Sequence, residues 1–158
     1  MIEGDWVRAG LVLLLSGLLL SAGAEDARTR EIADGKSIAI CLAAPLWWWA
    51  NGASPWPGAA LQAGLACGCF LLFALAFRFG MMGGGDVKLV AALSLWLPPA
   101  VLITMLVAMA LIGALVTIVM LIDHRLRRPS GELEVPYGVA IAAAGLLVIN
   151  EPILNQFG

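Results

Sequence analysis

Six apolar segments run through this chain and leave it few ways to fold. The connections between them are short and are either polar or rich in proline and glycine. Of the 158 residues, 61% are hydrophobic and 13% are charged, whereas soluble domains are only about half apolar. Because helices satisfy their own backbone hydrogen bonds in lipid, we predict an all-α membrane protein with about six transmembrane helices. The predicted helices are Val7–Ala24, Ser37–Ala50, Ala59–Phe79, Val87–Leu97, Ala100–Ile122 and Val135–Asn150.

The basic residues predict how these helices are oriented. Nearly all of the nine Lys and Arg residues lie in or beside the first, third and fifth connections. Since positive residues collect on the cytoplasmic side of membrane proteins, those connections are predicted to be cytoplasmic and both termini external. The external interface, where aromatic rings are enriched, then receives five tryptophans: Trp47, Trp48, Trp49, Trp56 and Trp96.

The first apolar segment also has features of a secretory signal peptide, including the Ala22-Gly23-Ala24 tripeptide at its end. The residues before it carry Glu3 and Asp5 against Arg8 alone, which is a poor positive region for a signal peptide. We therefore expect this segment to be retained as the first helix.

Charge and cysteine content exclude other classes. The net charge is −2 and no basic stripe is present, which argues against nucleic-acid binding. Cys41, Cys67 and Cys69 lie in apolar segments without zinc-site spacing. We expect all three to be buried packing residues, as free cysteines commonly are.

The fourth apolar segment, Val87–Leu97, is too short to cross a bilayer. Its 11 residues give about 16 Å of helix, and the hydrocarbon core is about 30 Å thick. We predict that the glycine-rich connection before it dips into the cytoplasmic half of the bilayer, so that Asp86 lies at membrane depth. Irregular backbone is tolerated there only under a cover of protein or beside a water-filled cavity.

Two acidic residues are the candidates for chemistry. Asp26 follows the first apolar run and Asp86 opens the fourth, and the predicted topology puts both at the cytoplasmic ends of their helices. Ionisable residues at membrane depth are costly and usually functional. Two carboxylates across a desolvated gap do not both ionise easily, so the pair offers a base and an acid, as in an aspartic protease. The alternative is that Asp86 is an ordinary N-cap and Asp26 an interfacial charge.

Gly83, Gly84 and Gly85 precede Asp86 directly. Glycine adopts positive φ readily and lets another backbone approach closely. We expect this loop to use both properties and to admit a neighbouring helix or an extended substrate.

Three motifs resemble those of one family. "GMMGGGDVKL" resembles the G-x-G-D signature of type IV prepilin peptidases, "DARTREIADG" resembles their first aspartate motif, and "VPYGVAIAAAGLL" resembles their last helix. The resemblance covers nearly the whole chain. It is nearest to the short, single-domain members of Flp or Tad pilus systems, the CpaA-like group.

The resemblance implies a single integral membrane peptidase domain over residues 1–158. It implies an aspartic endopeptidase of the bacterial inner membrane that removes the short basic leader of prepilins at the cytoplasmic face, with Asp26 and Asp86 as the catalytic pair. The usual Ile-Pro-Asn reads Ile32-Ala33-Asp34 here. The cytoplasmic domain with paired cysteines that longer members carry has no counterpart, so no methyltransferase domain is expected.

Three neighbours of the two aspartates have two interpretations each. Lys88 either tunes a carboxylate or binds substrate, or it only reaches the interface. Arg30 lies one turn beyond Asp26 and either pairs with it or anchors the helix end. Tyr137 follows Pro136 at a helix start, and its hydroxyl either lies near the site or anchors at the interface.

Other functions remain as alternatives at this point. A small transporter would use the two aspartates as an ion relay, although the acids cluster at one membrane face. A non-catalytic scaffold of a pilus or secretion complex would use them only as caps and anchors. We predict no cofactor and no metal, because two carboxylates without histidine are too few ligands. The expected partners are prepilin leader peptides and the lipid bilayer.

Overall fold

The computed structural model describes residues 2–127 and 135–149, and side chains within 5–126 and 135–149. A short turn, Pro55–Ala59, leads into the third helix. The described residues form helices and connections without any strand, so the predicted all-α membrane class is confirmed. The helices are α1 (Ile2–Thr29), α2 (Asp34–Ala50), α3 (Ala60–Arg78), α4 (Gly84–Ser94), α5 (Pro99–Arg127) and α6 (Tyr137–Ile149).

The six helices form two groups by length, three that are long enough to cross a membrane and three that are shorter. The segments Asp5–Thr29, Pro55–Arg78 and Pro99–Leu126 are long and apolar enough to cross a membrane. The other three helices have 17, 11 and 13 residues, fewer than the roughly 20 that a complete span needs. All six apolar segments are helical, but six complete spans are not confirmed. The first helix also continues to Thr29, beyond the predicted end at Ala24, and therefore carries Asp26 within its last turns.

The short helix α4 lies at the centre of the fold, in contact with α2, α3 and α6. Seven of its 11 residues are buried, among them Leu89, Val90 and Leu93. By contrast, α3 and α5 expose large apolar side chains along much of their length. A helix that is apolar on all sides and exposed at the edge of a bundle faces lipid. The neighbouring helices thus cover most of α4.

Tryptophan side chains from α2 cap the carboxyl end of α4. Trp47 Nε1 donates to the backbone oxygen of Trp96 at 3.2 Å, and Trp48 Nε1 donates to that of Leu95 at 2.7 Å. In return, Trp96 Nε1 donates to the backbone oxygen of Ile40 at 3.0 Å. The Trp47 and Trp96 rings stack with centroids 5.3 Å apart. Carbonyls at and just after the end of a helix lack intrahelical donors, and here indole N–H groups donate to those of Leu95 and Trp96, which directly follow Ser94.

Two of the five tryptophans that are predicted at the external interface belong to this cluster inside the bundle. Trp47 and Trp96 are buried in the core, at 3% and 2% exposure. Of the five, only Trp49 and Trp56 are widely exposed, as an interfacial ring would be. The two buried indoles are needed inside the bundle because α4 ends there.

The cysteine prediction is also wrong in part. Cys41 and Cys67 are exposed on the outer surface of the bundle, and Cys69 is half-buried. In a membrane protein the lipid-facing surface is as apolar as the core. An apolar neighbourhood in the sequence therefore does not indicate burial against protein.

Candidate active site

A cleft lies where the end of α1, the start of α4 and the start of α6 meet. It contains two cavities of about 510 Å³ and 220 Å³. Both are lined by Asp26, Arg30, Glu31, Gly83 and Asp86. The two candidate acids, which are 60 residues apart in the sequence, therefore face the same space.

Asp26 is buried at the end of α1 and is bound by the start of α6. Its Oδ2 accepts a hydrogen bond from the Val139 backbone N–H at 3.1 Å, and the Gly138 backbone lies directly against the same side chain. The first N–H groups of a helix have no intrahelical acceptor, and an acidic side chain is favoured beside them. Asp26 thus caps the amino end of α6, and this contact fixes where its carboxylate points.

Small residues let α1 and α6 approach closely enough for this contact. Gly23 lies one turn before Asp26, and a Cβ on it would lie 2.9 Å from the Ala142 Cβ of α6. Farther along the same interface, a Cβ on Gly145 would lie 3.0 Å from the Leu19 side chain. Glycine and alanine at such positions are the usual basis of close helix packing in membranes.

Asp86 lies in the first turn of α4 and is 7% exposed. The N-cap of α4 is Gly83, not Asp86, so the alternative of Asp86 as an ordinary N-cap is wrong. The Gly83 backbone lies against the Asp86 carboxylate, since a Cβ on Gly83 would be 3.0 Å from its Oδ2. One carboxylate oxygen, Oδ1, is buried and has no hydrogen-bond partner among the described residues. A buried, unpartnered carboxylate oxygen is costly in a folded protein, and here it belongs to a residue that lines the cleft.

Asp26 and Asp86 are also close enough to interact electrostatically. A backbone N–H group at the start of α6 donates to the Asp26 carboxylate, and the larger cavity beside the two acids has room for water. An arrangement of two acids around a solvent-accessible space can activate a water molecule and protonate a departing group. The described residues contain no group of three or more His, Cys, Asp or Glu side chains that could hold a metal ion.

The backbone of the glycine loop, Gly83–Gly85, does not have the predicted positive φ. Gly83 has φ −73°, and positive φ occurs instead at Gly80, where φ is +69°. Gly80 ends α3 in a Schellman arrangement: its N–H donates to the Phe77 carbonyl, and the Met81 N–H donates to the Ala76 carbonyl. The expected positive φ in Gly83–Gly85 is therefore wrong for this structure.

Close approach, the other expected property, does apply to the glycines. A Cβ on Gly85 would lie 3.1 Å from the Ile32 Cβ and 3.2 Å from the Ile32 carbonyl oxygen. A Cβ on Gly84 would lie 3.5 Å from the Phe77 ring, and one on Gly83 would lie 3.0 Å from Asp86 Oδ2. The glycines thus let the α1–α2 connection pack directly on the start of α4.

Of the three residues proposed as neighbours of the aspartates, two lie at the cleft and one does not. Arg30 and Tyr137 line the cleft with the two aspartates. The Tyr137 ring also lies against α5, where a Cβ on Gly113 would be 3.2 Å from it. Lys88 lies elsewhere: its Nζ pairs with Asp34 Oδ1 at 2.7 Å, and it lines a separate cavity between α2, α3 and α4. The structure therefore does not bring Lys88 to the cleft.

Two residues of the site, Gly138 and Ile32, were not among the predicted site residues. A Cβ on Gly138 would lie 2.8 Å from the Asp26 Cγ and 2.6 Å from the Ile32 Cδ1. Ile32 is buried and lines the smaller cavity. A signal for Gly138 was present, since a glycine after Pro136-Tyr137 at a helix start marks a place where something approaches the backbone closely. For Ile32, the signal was its match to the first position of the Ile-Pro-Asn motif.

The comparison with known families gives one match. A family model described as the type IV leader peptidase family matches residues 13–118, which include both candidate aspartates and the glycine loop. Helix α6, which binds Asp26, lies outside the matched range. Neither the curated proteins nor the solved structures give a match to this chain.

Proposed function

Because this chain belongs to the type IV leader peptidase family, we propose that it is an aspartic endopeptidase of the GxGD type that removes the short basic leader from prepilins. Asp26 and Asp86 are its catalytic pair. Residues 1–158 form a single peptidase domain, and Flp- or Tad-type prepilins are its substrates. The observation that carries the proposal is that these two aspartates, both buried, line the same cavity.

The proposed reaction uses one carboxylate as a base and the other as an acid. The base takes a proton from water while the water oxygen bonds to the carbonyl carbon of the scissile peptide. The acid gives a proton to the peptide nitrogen as the carbon–nitrogen bond breaks. The products are a leader with a new carboxylate and a pilin with a new amino terminus. Two neighbouring buried carboxylates suit this division, because they resist simultaneous ionisation.

The cleft also has the access that a peptide substrate requires. Arg30, Glu31 and Met81 at its edge are exposed, and the cavity of about 510 Å³ opens among them. Nearby apolar helices are long enough to cross a membrane. A prepilin with its apolar segment in the bilayer and its leader in the cytoplasm would meet the cleft at the membrane surface. We therefore assign the protein to the inner membrane, with the cleft facing the cytoplasm.

The orientation is tested by reporter fusions to the full-length or truncated chain. A reporter that is active only in the cytoplasm should give a signal after Lys36 and after Arg128, and a periplasmic reporter should give a signal after Ser54. The reason is the distribution of Lys and Arg among the connections. A periplasmic signal at Arg128 would contradict the proposed membrane face of the cleft.

The cleavage itself is tested by co-expression with type IV prepilins, including Flp-type prepilins. A cleaved prepilin should migrate faster on a denaturing gel and should lose the mass of its leader in mass spectrometry. The same cells without this chain provide the control. If every prepilin stays full-length while the chain is present in the membrane, the proposed function is wrong.

A further inference from the structure

The connection between α1 and α2, residues 30–33, is a tight corner beside the cleft. Arg30 opens it with φ +60°, which is rare for a residue other than glycine. Arg30, Glu31 and Ala33 are exposed, whereas Ile32 is only 8% exposed. The corner thus directs the Ile32 side chain inward, between the start of α4, which carries Asp86, and the start of α6, which binds Asp26.

Ile32 contacts both of those helix starts. On one side it meets Gly85, the residue directly before Asp86, where a Cβ would lie 3.1 Å from the Ile32 Cβ. On the other side its Cδ1 meets Gly138, where a Cβ would lie 2.6 Å away. Gly138 directly precedes Val139, whose N–H donates to Asp26, and the Gly138 backbone lies against the Asp26 side chain. A single side chain therefore touches the backbone that places each carboxylate.

Ion pairing holds the corner in place. The Glu25 carboxylate accepts from the Ala33 backbone N–H at 3.1 Å and pairs with Lys36 Nζ. Lys36 Nζ also donates to the Ser21 carbonyl at 3.0 Å. The Glu25 and Lys36 side chains are only 33% and 17% exposed, so this pair is less screened by water than a fully exposed one. Glu25 thus ties the first turn of α2 to the last turns of α1, next to Asp26.

We propose that Ile32 is a positioning residue that sets the distance between the Asp26 and Asp86 carboxylates, and that Glu25 holds the corner that presents it. This inference rests on the proposed function for its effect on catalysis, but not for its effect on geometry. Without the Ile32 side chain, the starts of α4 and α6 lose the group that keeps them apart, and the two carboxylates no longer have one fixed separation. Catalysis by a pair of groups is sensitive to such displacements, since about 1 Å can cost about a hundredfold in rate.

The kinetic test compares Ile32→Ala with Ile38→Ala in the purified full-length chain, with a cleavable prepilin in detergent–lipid micelles. Ile38 lies on α2 with its side chain exposed away from the cleft, so its variant is the matched control. We expect Ile32→Ala to lower kcat by about tenfold to a hundredfold and to leave KM nearly unchanged. Ile32→Leu, which keeps the side-chain volume, should recover most of the loss. Equal kcat for Ile32→Ala and Ile38→Ala would overturn the proposal.

The geometric test does not need activity. Cysteines placed at positions 26 and 86, in a chain with Cys41, Cys67 and Cys69 changed to Ala, are treated in membranes with bifunctional thiol reagents of graded length. With Ile32 present, one reagent length should dominate the cross-linked product. With Ile32→Ala, and more weakly with Glu25→Ala, the product should spread over several lengths.

The two tests separate the two proposals. If no prepilin is cleaved by any form of the chain, the proposed function is wrong, while the cross-linking still reports on Ile32. If the reagent profile is the same with Ile32 in place, with Ile32→Ala and with the Ile38→Ala control, the positioning role is wrong, whatever the activity.

Discussion

Asp26→Asn and Asp86→Asn should each abolish leader removal, with a loss of about a thousandfold or more in rate. Asparagine keeps the size of the side chain and one oxygen acceptor, so residue 26 can still accept from the Val139 N–H that now lies 3.1 Å away. It cannot accept the proton of water as a carboxylate does or donate one as a carboxylic acid does. Since the base and the acid have different tasks, neither aspartate can replace the other.

The measurement is the fraction of cleaved prepilin over time, with the amount of inserted enzyme determined in the same membranes. The double variant should be no worse than either single variant, because groups that act as one unit are not additive. Asp34→Asn is the matched control: its side chain is 59% exposed and pairs with Lys88, away from the cleft. It should retain activity. Cleavage at the normal rate by either single variant would show that the protein is not an aspartic peptidase that uses this pair.

Gly138→Ala should be the most damaging of the single-methyl substitutions around the cleft. The new Cβ would lie 2.6 Å from Ile32 Cδ1, and 2.8 Å and 2.9 Å from the Cγ and Cβ of Asp26. Such distances require the neighbours to move, and overpacking of this kind costs about 1–3 kcal/mol of stability. The side chains that must move are those of Ile32 and Asp26, so we expect the rate of leader removal to fall by at least about tenfold.

The chain offers two glycines for comparison, since Gly35, Gly85 and Gly138 are each the second residue of their helices. A Cβ on Gly35 meets nothing within 4 Å, and one on Gly85 would lie 3.1 Å from Ile32. Thermal unfolding and cleavage should therefore both rank Gly35→Ala nearest to the wild type, Gly85→Ala next, and Gly138→Ala last. If Gly138→Ala matched Gly35→Ala in both measurements, the close contact between α6 and Asp26 would not control the site.

The amino-acid sequence by itself was enough to predict an all-helical fold and to single out two aspartates that line one cleft. Long apolar runs in lipid have to become helices, because no other local structure satisfies the backbone there. Asp86 after three glycines, and Asp26 at the end of the first apolar run, were identifiable because charged residues are rare in such segments. Their predicted placement at the same end of the bundle followed from alternation of direction between consecutive helices. The shared cleft agrees with that placement.

Tertiary structure alone decided what surrounds the two carboxylates. The bond from Val139 to Asp26 joins residues 113 positions apart, and no local pattern in the sequence specifies such a contact. The sequence also did not show which side chains are buried. Trp47 and Trp96 lie in the core, whereas Cys41 and Cys67 face outward. In a soluble protein the alternation of apolar and polar residues separates core from surface. In a membrane both surfaces are apolar, so only the packing of α6 and of the α1–α2 corner against α4 determined which side chains enclose the cleft.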